Sequence, residues 1–121
     1  MFEDITEIRD LRKKYNYKMF KTGIETFRAF EDLEANALES GALDRKYKEL
    51  ISLATSIVSL CYGCIEFHAT SAVSHGATRQ EIAETVALAI VMGGGPAQWP
   101  GRYVFKVLDE LEKEKQEKPT P

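Results

Sequence analysis

Hydrophobic positions along the chain recur with a helical period almost everywhere. Ile5, Ile8, Leu11 and Tyr15 step by three and four, as do Phe20, Ile24, Phe27, Phe30 or Glu31, Leu33 and Ala37 in the next segment. Each set predicts a helix that buries a single stripe. Gly41 ends that region, and Asp44 is a natural N-cap for a third helix from about Arg45 towards Ser59, with Glu49 in its second turn. From Leu50 onward this helix is apolar or small on nearly every side, as expected of an element buried in a bundle or between subunits.

Gly63 predicts a break, which places Cys61 and Cys64 at the junction of the third helix and a fourth. The fourth runs through Ile65, Phe67, His68 and Val73 to His75, with Gly76 as its stop. Thr78-Arg79-Gln80-Glu81 is a capping box opening a fifth helix through Ile82, Val86, Ala89 and Ile90. Gly93-Gly94-Gly95-Pro96 interrupts it, and Tyr103, Val107, Leu108 and Leu111 trace a last amphipathic helix. The charged, proline-tipped end from Glu112 to Pro121 is expected to fray. No alternating strand pattern of useful length occurs, so the expected fold class is all-α, a bundle of about six helices.

Composition narrows the function classes. At 121 residues and 13.7 kDa the chain is expected to form a single domain over 1–121, small enough that self-association would help its burial. A net charge of -3 and a pI near 5.4 give no basic excess for nucleic acid or anionic lipid. The acidic start Met1-Phe2-Glu3-Asp4 does not read as an export signal. The uncharged stretch Leu50 to Ile65 carries serines and a threonine and is shorter than the roughly 20 apolar residues of a membrane span. A cytoplasmic location, without nucleic acid or membrane partners, is therefore expected.

In a reducing compartment, two cysteines at C-x-x-C spacing point to catalysis or metal binding rather than to a permanent staple. A disulfide between them would close too short a loop to stabilise much through chain entropy. A thiol at a helix N-terminus faces unpaired backbone N–H groups that favour the thiolate, and on this ground Cys61 is slightly the more activated. His68 lies one turn from Cys64, about 6 Å along the axis, and is the natural base for that sulfur. Glu49 could reach the imidazole only if its helix packs against the fourth. Taken singly, His68 reads as an ordinary packed or surface histidine and Glu49 as a solvated carboxylate. His75 is about 10 Å beyond His68 on the same face, too far to share a metal with it, and suits the helix C-terminus. The Gly93 to Pro96 run lacks the Lys-Ser/Thr of a phosphate loop. Trp99 and the Phe/Tyr stripe read as core or subunit interface.

Glu49, eleven intervening residues, Cys61-x-x-Cys64, three more and His68, followed by Gly76-Ala77-Thr78 and Glu81-Ile82, together resemble the carboxymuconolactone decarboxylase-like superfamily. The alkyl hydroperoxidase D-like branch is the nearest part of it, and the resemblance is best over residues 43–96. It implies an all-helical subunit assembled into homo-oligomers such as trimers or hexamers, with the thiols near subunit contacts. No cofactor is expected, and no metal either, given the cysteine spacing and the poor reach of His75 as a completing ligand. The resemblance further implies Cys64 as the thiolate that attacks a hydroperoxide, Cys61 as proton donor and resolving thiol, and His68 with Glu49 as a proton relay. A dithiol or thioredoxin-like partner would return the resulting disulfide to thiols. Gly63 departs from the pattern, standing where alkyl hydroperoxidase D has a histidine. Two other classes are to be weighed: a lactone-acid decarboxylase, whose relatives generally lack the cysteine pair, and a zinc-binding or structural oligomer using Cys61, Cys64, His68 and Glu49.

Overall fold

The computed structural model describes residues 4–117, and among them every regular element is an α-helix. These are α1 (Ile5–Phe20), α2 (Glu25–Leu38), α3 (Arg45–Val58), α4 (Tyr62–Ser74), α5 (Arg79–Gly93) and α6 (Gly95–Glu117). The all-α expectation holds. Helix α3 packs on α4 and α5, and both of these pack on α6. Leu53 and Ile57 of α3 meet Ile65 and Ala69 of α4, Ile82 and Val86 of α5, and Tyr103, Val104 and Val107 of α6 in one core.

Helix α3 buries Glu49, Leu50, Leu53, Ser56 and Ile57, a stripe spaced by three and four, while Ile51 is 55% exposed. Burial on nearly every side is thus met on one face only, because within one subunit α4 and α5 cover a single flank. Its start also differs in detail. Asp44 is the N-cap residue, but its side chain makes no capping bond; Ser40 Oγ accepts from Arg45 N–H at 2.9 Å and donates to Asp44 Oδ1 at 3.0 Å. The preceding helix has already ended at Leu38, ahead of Gly41.

The apolar stripe from Phe20 to Ala37 is not one helix. Lys21–Ile24 turn the chain between α1 and α2, with Gly23 at φ 75°, a conformation that glycine adopts without steric cost. Helix α1 buries Ile5 and Ile8, whereas Leu11 and Tyr15 are exposed. Helix α2 stands further out: Leu38 is its buried residue, and Phe30 and Leu33 are each 66% exposed.

The break between α3 and α4 comes earlier than Gly63 predicts. Leu60 takes φ 59°, Cys61 becomes the N-cap of α4, and Gly63 lies inside the first helical turn. The reason is local: Cys61 Sγ accepts from Cys64 N–H and so performs the capping usually left to Ser, Thr, Asp or Asn. The capping box forms in full, with Glu81 N–H donating to Thr78 Oγ and Thr78 N–H to Glu81 Oε1; Lys46 Nζ, 3.0 Å from Glu81, ties this end of α5 to α3. Gly94, at φ 74°, separates α5 from α6. Helix α6 therefore begins well before Tyr103 and carries Trp99 on an exposed face, while Tyr103 is fully buried. The end expected to fray stays helical to Glu117, with Glu112 on Arg79 and Glu114 on Arg9; residues 118–121 lie outside the described residues, as do Met1, Phe2 and Glu3. No helix among the described residues is long and apolar enough to cross a membrane.

Candidate functional site

Packing of α3 against α4 turns dispersed sequence positions into one site. Cys61 and Cys64 are joined by a disulfide, with Cα atoms 5.2 Å apart, at the point where α4 begins. Cys61 is half-buried and Cys64 is exposed. His68, one turn further along α4, turns its Nδ1 to the carboxylate of Glu49, 3.3 Å from Oε1 and 3.4 Å from Oε2. Glu49 is fully buried, and Arg45 Nε lies 3.6 Å from its Oε1. All four residues picked out by spacing are therefore brought together. His75 is not among them: it closes α4, with Nδ1 2.8 Å from the Ser71 carbonyl.

A carboxylate on Nδ1 selects the tautomer that carries its proton there, and Nε2 is left as the basic nitrogen. Phe67 meets the His68 ring edge-on, with centroids 5.1 Å apart. This arrangement can accept a proton and share the resulting positive charge with a buried carboxylate. The disulfide supplies the two-electron element beside it.

Two hollows meet at the sulfurs. The larger, about 600 Å³, lies between α1, α2 and the start of α4; Met19, Phe20, Phe27, Phe30 and Leu38 form its apolar wall, and Arg12, Arg45, Glu31 and Glu34 its polar part. The smaller, about 290 Å³, opens towards Ile51, Thr55 and Ser56 of α3. Cys61, Cys64 and His68 line both. Among the described residues no group of three or more His, Cys, Asp or Glu side chains is arranged to hold a metal ion, and in the disulfide state neither sulfur is a thiolate ligand.

One buried ionic cluster beside the site escaped the sequence reading. Glu66, buried in α4, accepts from Arg9 Nε at 2.8 Å, Arg12 Nη2 at 2.6 Å and Thr70 Oγ1 at 2.9 Å. Burial opposes ionisation of Glu66, but the hydrogen bonds from Arg9, Arg12 and Thr70 outweigh it and hold the carboxyl below its ordinary value. A signal was available: Glu66 is the one formal charge between Tyr62 and Ser74, flanked by Ile65 and Phe67, and Arg9 and Arg12 are spaced to share a face of α1.

A six-helix α bundle with a disulfide at a helix N-terminus and a His–Glu pair beside it defines the class: an all-helical protein with a paired-cysteine site. Residues 25–110 match the model of the Carboxymuconolactone decarboxylase family, and the chain belongs to that family. It is 41% identical over 83 residues to an uncharacterised protein of Cupriavidus necator, an alignment spanning 69% of this chain and 74% of that one. Its structure resembles that of a carboxymuconolactone decarboxylase family protein from Legionella pneumophila, with 35% identity, a TM-score of 0.83 and coverage of 88% of this chain and 95% of that one. A family protein from Thermotoga maritima superposes with a TM-score of 0.85 at 31% identity over 92% of this chain and 94% of that one; an antioxidative response is the suggested role in its description.

Proposed function

We propose that this protein is a thiol-dependent peroxidase or disulfide oxidoreductase that acts on hydroperoxides in a reducing cytoplasm. The observation that carries the reading is the Cys61–Cys64 disulfide set beside the His68–Glu49 pair at the mouth of a cavity. The antioxidative role suggested for the Thermotoga relative supports it. A thiol pair has no part in decarboxylating a lactone acid, so the disulfide favours this reading over that one.

Starting from the reduced protein, His68 takes the Cys64 proton, and the Cys64 thiolate attacks the distal oxygen of the peroxide. The O–O bond breaks, Cys64 becomes a sulfenic acid, and the leaving alkoxide takes the Cys61 proton to give the alcohol. The Cys61 thiolate then attacks the sulfenic sulfur, hydroxide leaves as water with the proton held by His68, and the disulfide forms. A dithiol or thioredoxin-like partner regenerates both thiols by exchange, becoming a disulfide itself. Exposure of Cys64, against the half-buried Cys61, and the one-turn distance to His68 support this assignment of roles.

The test is a thiol count on reduced protein before and after one equivalent of hydroperoxide, combined with iodoacetamide labelling of each cysteine. Two thiols are expected to fall to none. His68→Ala and Glu49→Gln are expected to slow labelling of Cys64 near neutral pH by about tenfold, the effect of one unit in thiol pKa. Unchanged thiols after peroxide would sink the peroxidase reading. Unchanged labelling in both variants would remove the relay from it.

We also propose that the working form is a homo-oligomer, a trimer or hexamer. Phe30 and Leu33 on α2, Leu88, Val91 and Met92 at the end of α5, and Trp99 on α6 are large apolar side chains left exposed by a single subunit. Light scattering at micromolar concentration is expected to give a mass several times 13.7 kDa. A stable monomer would contradict this.

A further inference from the structure

The peptide unit between Gly63 and Cys64 is held at both ends. Its carbonyl accepts from Arg12 Nη2 at 2.9 Å, and its N–H donates to Cys61 Sγ at 3.2 Å. The second hydrogen of the same Nη2 goes to Glu66 Oε1, and the guanidinium lies over the Phe67 ring, 5.2 Å from its centroid. Arg12 thus reaches from α1 across the start of α4 with its position fixed from three directions.

We propose that Arg12 is a positioning residue that sets the redox balance of the Cys61–Cys64 pair through this peptide. A charged donor on a carbonyl polarises the amide, and a polarised amide donates more strongly from its N–H. The acceptor of that N–H is Cys61 Sγ, a weak acceptor in the disulfide and a stronger one in the dithiol protein, most of all in the fraction in which Cys61 is ionised. Arg12 therefore stabilises the reduced state more than the oxidised state, and only such a difference moves an equilibrium. Long-range attraction between the guanidinium and the sulfur has a smaller part, because Glu66 balances the charge of Arg12 at 2.6 Å. Arg9 shares Glu66 but gives its other hydrogen bonds to Glu114 and Thr70 instead of the Gly63 carbonyl. That makes it the control.

The inference rests on the redox reading of this site, although its test needs no peroxide. Disulfide protein and two glutathione thiols are equilibrated with dithiol protein and oxidised glutathione, and the four species are quantified after acid quenching. Arg12→Gln is expected to shift the equilibrium about tenfold towards the protein disulfide, equivalent to a potential about 30 mV more negative. Arg9→Gln, which loosens the same Glu66 cluster, is expected to stay within about twofold of wild type. Equal shifts in the two variants, or none in Arg12→Gln, would overturn the proposal. Should Arg12→Gln fail to fold, Arg12→Lys, which keeps the charge but loses the planar fork, takes its place. A shift of at least about threefold in the same direction is then expected, and no shift overturns the proposal. A protein that shows the Arg12 shift but leaves hydroperoxides intact would lose the peroxidase reading and keep this one. A chain whose two thiols never pair would lose both.

Discussion

Cys64→Ser is expected to reduce hydroperoxide turnover to the uncatalysed background, whereas Cys61→Ser is expected to consume one equivalent of peroxide and stop. Both expectations follow from the division of labour between an exposed sulfur one turn from His68 and a half-buried sulfur that caps α4. A serine hydroxyl at position 64 offers no accessible anion near neutral pH, so the first step fails outright. With Cys61 replaced, the first step proceeds, but the sulfenic acid has no neighbouring thiol to condense with. It should then be trapped on Cys64 by dimedone and located by mass spectrometry. The capping geometry argues in the other direction, since Cys61 Sγ already receives the Cys64 N–H and a thiolate there would be favoured. The experiment decides between these pulls. Full turnover in Cys64→Ser, or a dimedone adduct on Cys61 instead, would reverse the roles assigned to the two sulfurs.

The helical nature of the chain and the location of its cysteine pair were legible because they depend on short-range patterns. Steps of three and four residues mark α1, which buries Ile5 and Ile8 of its stripe, and the Thr78–Glu81 box marks the start of α5. The Cys61-x-x-Cys64 and His68 spacing places three chemical groups within about two turns at the start of α4. The Glu49–His68 contact is different in kind. It depends on the register of α3 against α4, which no local pattern fixes, and it was available only through the resemblance to a known family. The Glu66 cluster depends on α1 crossing α4, and neither route pointed to it. The α3 start at Arg45 was placed correctly, whereas the α4 start was not. There Cys61 does unexpected capping work, so the helix starts where that acceptor sits and the nearest glycine is not the marker. The apolar face of α2 misled for another reason. Period alone says that one side is meant to be covered, and in a single subunit that cover is mostly missing.

Glu66→Ala is expected to lower stability by about 2–3 kcal/mol and the melting temperature by roughly 10 °C at fixed protein concentration. Removing the carboxylate leaves the Arg9 and Arg12 guanidiniums without the partner they share. The cost falls below the roughly 3–5 kcal/mol of a fully buried pair, because both side chains remain about 30% exposed and can recruit water. The same carboxyl gives the fold an acid-sensitive component. Its folded pKa lies below the ordinary 4.5, so its contribution is complete above about pH 4.5 and is lost as pH falls through the lower folded value. Glu66→Gln, which keeps an oxygen acceptor but no charge, should flatten the stability profile over that acid window. Some slope should survive, since Asp4, through the Glu7 and Thr6 amides it caps, and Glu81, through Thr78 N–H and Lys46, are also held below their ordinary values. Thermal melts from pH 7 down to about pH 3 of wild type and both variants provide the check. If Glu66→Ala melts with wild type at neutral pH, or Glu66→Gln shows the wild-type acid dependence, the Glu66 cluster is not what fastens α1 to α4.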